Sequence, residues 1–393
     1  MSAIKYKIKA LLKKASAFIL IELAAMGMLL SVSSVAAAQQ YVRIDLTSNV
    51  PGVAVATDSR FVNAWGLATG AGGPWWVAVN GTGVSTLYTG EGFLMPAFSP
   101  LAVNIPPPAG VTMGTSAPTG VVYNGGSDFA LAPDQPAQYI FVTEDGTISG
   151  WRPDAAGYNH NALLMADNSS DSVYTGAAIA RRGGESFLYV ANFRSGTVDV
   201  FDSSFSHIIL SQGAFTDPEI PDDFAPFNVQ NIDGDLYVAF AQRDTGNYNA
   251  TAGIGLGYVD VFDPRGDLLM RLQPGPWMNA PWGMALAPED FGSYSNQLLV
   301  GNSGSGTISI FDPETGEFKG YLRDERGNRI TVRGLKGLSF GNGSLAGPAN
   351  TLYFTAGIYG RHGLLGSITP SRAPQGMAPT YPGMAPTYPG TGY

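Results

Sequence analysis

Polar and apolar positions along this chain repeat one pattern six times. Each unit opens on a bulky residue, then a Gly or Asn, then an apolar residue. The openings are Asn63-Ala64-Trp65-Gly66-Leu67, Ala117-Pro118-Thr119-Gly120-Val121, Tyr174-Thr175-Gly176-Ala177, Ala225-Pro226-Phe227-Asn228-Val229, Ala280-Pro281-Trp282-Gly283-Met284 and Gly334-Leu335-Lys336-Gly337-Leu338. Counted from positions 65, 119, 175, 227, 282 and 336, the spacings are 54, 56, 52, 55 and 54. An apolar stretch follows each opening, as in Trp76-Val77-Ala78-Val79-Asn80 and Leu188-Tyr189-Val190-Ala191-Asn192. A polar Gly turn comes next, then an alternating stretch such as Gly196-Thr197-Val198-Asp199-Val200-Phe201-Asp202. Alternation at period two predicts half-buried β-strands.

Four short strands per unit of about 50 residues are the signature of a propeller blade. The pattern therefore predicts an all-β, six-bladed β-propeller over residues 39–370, with four antiparallel strands per blade. Fourth strands are expected at Asp267–Leu272 and Ile330–Arg333, among others. The sixth unit ends after its third strand, Leu364–Thr369. Tyr41–Thr47 is expected to supply the missing fourth strand and close the ring, which removes an open sheet edge.

Composition agrees with this class. The chain has 393 residues, 45% hydrophobic and 13% charged, with 51 Gly and 27 Pro, a mix suited to short strands and tight turns. It has no Cys, which excludes disulfides, thiolate nucleophiles, zinc fingers and iron–sulfur clusters. A net charge of −9 argues against nucleic acid as a partner. Lys5, Lys7, Lys9, Lys13 and Lys14 precede an apolar run that reaches Val35 and then Ala36-Ala37-Ala38. Residues 1–38 thus read as a signal peptide cleaved after Ala38, and the protein as exported, periplasmic or extracellular. The alternative is a retained membrane anchor. Cleavage leaves 17 Lys+Arg against 30 Asp+Glu, a net of −13. Residues 371–393 carry the heptapeptide Gly-Met-Ala-Pro-Thr-Tyr-Pro twice and read as a disordered Pro/Tyr-rich tail.

With this strand order, the loops entering the first strands and the turns after the second strands share one face. That face is expected to form the channel mouth and to carry the site. Candidate binding residues are Asn63, Trp65, Asn80, Asp145, Asn192, Arg194, Asn228, Arg243, Trp282, Asn302, Lys336 and Arg361. Asn80, Asn192 and Asn302 precede Gly-containing turns, where Asn is favoured for backbone reasons alone. Trp65 and Trp282 also suit packing between blades. Glu144 stands where other blades carry Asn, and His362 is the one histidine expected on this face. As acid and base they are the candidate catalytic pair. No serine-hydrolase elbow, phosphate loop or His metal cluster occurs. No cofactor and no metal site are predicted, although the acidic run Asp217–Asp223 offers oxygen ligands of the kind calcium takes.

The runs Asn63–Ala68, Thr143–Trp151, Ala191–Thr197, Ala225–Gln230, Pro281–Ala285 and Leu352–Gly357 resemble a family of exported bacterial proteins of uncharacterised function. The resemblance covers residues 41–370. It implies a secreted propeller and no activity. Lys336 departs from it, since Trp65 and Trp282 suggest Trp there. More distantly, the blades are similar to NHL-repeat, gluconolactonase-like and virginiamycin-lyase-like propellers. The carboxylates that hold the gluconolactonase metal have no counterpart at the entries here. Only Val142-Thr143-Glu144 echoes the lyase. Two readings follow. The first is a binding or interaction scaffold that meets an unknown ligand or protein partner at its channel mouth. The second is a lyase or hydrolase with its active site there. A monomer is expected, with no membrane contact except through an uncleaved leader.

Overall fold

The computed structural model describes residues 40–154 and 159–371. The expected signal peptide, residues 1–38, and the heptapeptide repeats lie outside them. Six antiparallel sheets of four core strands each form the blades. The first comprises Ala64–Ala68, Trp75–Val79, Val84–Tyr88 and Ala102–Asn104, and the next four repeat that order. The sixth comprises Leu335–Phe340, Leu352–Ile358 and His362–Pro370, completed by Tyr41–Ser48 from the other end of the chain. Tyr41 pairs with Pro370 and Ser48 with Leu364, antiparallel, so the ring closes as the sequence predicts. A short strand, Ala56–Thr57, runs parallel outside it.

Two details differ from the sequence reading. The fourth strand of blade 5 is Phe318–Tyr321, not Ile330–Arg333. Ile330 and Val332 are instead buried in the core between blades 5 and 6. The segment is a connection that pairs only through isolated bridges, Thr331 with Thr307 and Arg329 with Arg323, and its alternation records burial of Ile330 and Val332. Blade 2 also carries an inserted hairpin, Ala130–Ala132 with Gln135–Pro136.

The core is divided by the ring. Six apolar clusters each fill one interface between neighbouring blades, and a seventh lies on the axis. Each first strand is the end strand of its sheet, and the six pack around the axis. All six skip a residue in their pairing with the second strand at the opening step. Such a bulge re-aims side chains, and here it marks the position of the recurrent bulky residue. The Gly that follows is forced by close approach. A Cβ at Gly283 would stand 2.3 Å from the Lys336 carbonyl oxygen, and one at Gly337 2.9 Å from that of Trp65. Asn228 takes the Gly place in blade 4, where its amide donates to the Trp282 carbonyl at 2.8 Å.

Candidate functional site

The recurrent opening residues Trp65, Thr119, Thr175, Phe227, Trp282 and Lys336 form a ring that plugs the axis. None is more than 9% exposed. Trp65 packs edge-on against Phe227 and Trp282, with centroids 6.0 Å away in both cases. The Trp282 indole donates to the Thr175 carbonyl at 3.0 Å, whereas the Trp65 Nε1 is buried without a partner. The Lys336 ammonium sits 3.9 Å from the Trp65 ring centroid and 5.0 Å from that of Phe227, a double cation–π contact. It donates to Ser303 Oγ at 2.8 Å. Burial lowers its pKa to about 8, against the upward pull of Glu144.

Above the ring, on the entry face, runs a chain of amides. Asn63 donates to Asn80 Oδ1 at 2.8 Å, and Asn80 donates to Glu144 Oε2 at 2.8 Å. Burial raises the Glu144 pKa, opposed by the Asn80 bond and by Lys336. Asp145 beside it accepts the Ala117 N–H at 2.7 Å. The expected partner of Glu144 is elsewhere. His362 is exposed on blade 6, 3.3 Å from Asn49, and no hydrogen bond or ion pair joins it to Glu144 among the described residues. The ionisable neighbour of Glu144 across the ring is Lys336.

The remaining candidates divide by their bonds. Asn192 Oδ1 accepts the Val173 and Ser195 N–H groups, and its amide donates to Asp199 at 2.8 Å. Asn302 Oδ1 accepts the Asn279 N–H at 2.8 Å, and its amide donates to Ser309. Both are buried turn locks. Arg194 donates to the Ser170 carbonyl and lies over the Tyr248 ring. Arg243 donates to the Asp222 carbonyl at 2.6 Å. Arg361 is exposed on the hairpin next to His362. In the acidic run, Asp217 and Glu219 both pair with Arg271, and Asp223 accepts from Gln242. Those carboxylates are already engaged. Among the described residues, no group of three or more His, Cys, Asp or Glu is placed to hold a metal.

An axial cavity lies on the other side of the plug. Its volume is about 410 Å³, and it is walled by the outgoing halves of five first strands, with Trp282 and Asn228 at the ring end. Exposure rises along these strands, from buried Trp65, Thr119 and Phe227 to half-buried Thr69 and Tyr123 and exposed Asn231. The cavity thus opens on the exit face. Its polar side chains are Thr69, Tyr123, Asn228, Gln230, Asn231 and Ser339, and no Asp, Glu, Lys, Arg or His lines it. Sequence reasoning missed all of these except Asn228. The signal was present, because most stand three or four residues beyond a ring position.

No family model matches the chain. Among curated proteins, three uncharacterized proteins of Acanthamoeba polyphaga mimivirus are similar to it. One is 34% identical over 269 residues, 65% of this chain and 47% of the relative. The chain thus spans about half the length of that relative. The others are each 29% identical, covering 82% and 75% of this chain and 78% and 77% of their own length. These relatives are viral, which corrects the bacterial attribution of the resemblance; their uncharacterised status agrees with it. Among solved structures, a protein of unknown function from Bacteroides thetaiotaomicron matches with TM-score 0.52 and 11% identity, covering 84% of this chain and 76% of that one. A catalytically inactive virginiamycin B lyase from Staphylococcus aureus, solved with quinupristin, matches with TM-score 0.50 and 9% identity, covering 84% and 99%. At these identities the likeness is one of fold.

Proposed function

We propose that this chain is an exported binding propeller that takes a small, uncharged, polar molecule in the exit-face cavity. The observation that carries this reading is the cavity lining: hydroxyls, amides and a phenol, with no charged side chain. The first strands are sheet edges, so their inward N–H and C=O groups add further donors and acceptors without charge. A charged ligand would lose its hydration there with no opposite charge to meet it, whereas a neutral polar one exchanges hydrogen bonds at small cost. Concave sites with a few placed polar groups are the usual form of small-molecule sites. Export rests on residues 1–38.

Glu144 bonds to Asn80 and His362 to Asn49, with no hydrogen bond between the two among the described residues, which favours the binding reading over acid–base catalysis by that pair. Ligand-observed NMR of neutral polyols and amides, each beside its carboxylated counterpart, tests the binding reading. Neutral members are expected to show saturation transfer, and Ser339→Trp, which fills the cavity, is expected to abolish it. Equal transfer to charged counterparts, or signals untouched by Ser339→Trp, would remove the reading.

A further inference from the structure

We propose that Lys336 and Glu144 form an amine–acid pair on the entry side of the ring, able to condense with the carbonyl group of an aldehyde or ketone. This site is separate from the exit-face cavity and does not rest on it. Four observations place it. The Lys336 amine is held over Trp65 and Phe227 in an aromatic seat, with a single hydroxyl partner, Ser303. Glu144 is near enough to act on it electrostatically, yet no ion pair within 4.0 Å joins them among the described residues. A gap therefore lies between nitrogen and carboxyl oxygen. The Trp65 indole N–H in the same cluster is buried and bonds to nothing, an unmet donor that a bound oxygen would satisfy. Burial also lowers the Lys336 pKa toward the neutral amine and raises that of Glu144, the directions such a condensation needs.

The step balances within the site. The Lys336 Nζ lone pair attacks the carbonyl carbon, and the C=O π pair moves to oxygen, which takes the Glu144 proton. The nitrogen then returns a proton to the Glu144 carboxylate. Glu144 protonates the new hydroxyl, water departs as the nitrogen lone pair forms the C=N bond, and the iminium N–H proton returns to the Glu144 carboxylate. One amine and one carbonyl give one imine and one water, with no oxidant or reductant. Asn80, bonded to Glu144 Oε2, and Asn63 behind it are positioning residues.

The sequence makes the test clean, because beyond the leader the chain has only two lysines, Lys319 and Lys336. Lys319 is solvent-facing and paired with Glu317 and Asp312, which hold its proton. The full chain would be treated at pH 7 with propanal, then sodium cyanoborohydride, and mapped by peptide mass spectrometry. Lys336 is expected to be trapped at least about tenfold faster than Lys319, since its lower pKa leaves more neutral amine. Glu144→Gln, with its fold checked by circular dichroism, is expected to slow trapping at Lys336 and leave Lys319 unchanged. Preferential labelling of Lys319, or no label on Lys336 in the folded chain, would overturn the proposal. Undiminished labelling of Lys336 in Glu144→Gln would remove Glu144 from it.

Discussion

Gly283 has no room for a methyl group, because the neighbouring first strand passes within 2.3 Å of where a Cβ would stand. Gly283→Ala must push one blade off the next, and overpacking of this kind costs about 1–3 kcal/mol. A urea titration should show that loss as a lower midpoint at unchanged slope. Two ionisable groups carry opposite signs of pH dependence. Asp260 is fully buried, and burial, then Asp217, raises its pKa to about 8 despite Arg271 at 3.6 Å. The folded form therefore holds a proton that the unfolded form gives up above about pH 4, so stability falls as pH rises from 4 to 8. Lys336 is lowered to about 8, so folding releases its proton above that value, and stability rises from about pH 8 toward 10. Asp260→Asn should flatten the first slope and Lys336→Met the second, as read from melting curves across pH. A slope unchanged in either variant would show that the group titrates normally.

At the scale of elements, the closing strand carries the most weight. Tyr41 is fully buried against Phe291 and Tyr294, and its hydroxyl donates to the Phe291 carbonyl at 2.8 Å. It ties the N-terminal strand of blade 6 to blade 5. Tyr41→Ala should cost about 3–5 kcal/mol, the range for large aromatic truncations, and lower the thermal midpoint accordingly. Closure was legible in the sequence because blade 6 lacked one strand and Tyr41–Thr47 alternates. The first strands were legible because a bulge and a close-packed Gly recur at fixed spacing. Ile330–Arg333 was misread because a connection packed between blades alternates as a strand does. That Lys336 and Glu144 lie within electrostatic reach of each other was not legible at all. The two stand on blades 6 and 2, and nothing local in either encodes which side chains meet across the axis.

On the scale of the whole molecule, the six ring residues divide the axis into two unlike halves. The entry half holds a buried amine, a carboxyl and an amide chain, and the exit half holds a charge-free cavity. Sequence spacing located the dividing ring but not the half that opens, because aromatic bulk at the ring and its absence beyond are set by packing in three dimensions. The binding account is tested most directly by soaking crystals of the propeller with a library of neutral and charged fragments. Neutral polar fragments should appear in the exit-face cavity, hydrogen-bonded to Thr69, Gln230 or Ser339, with charged ones absent. Fragments gathered only on the entry face, or charged ones filling the cavity, would contradict it.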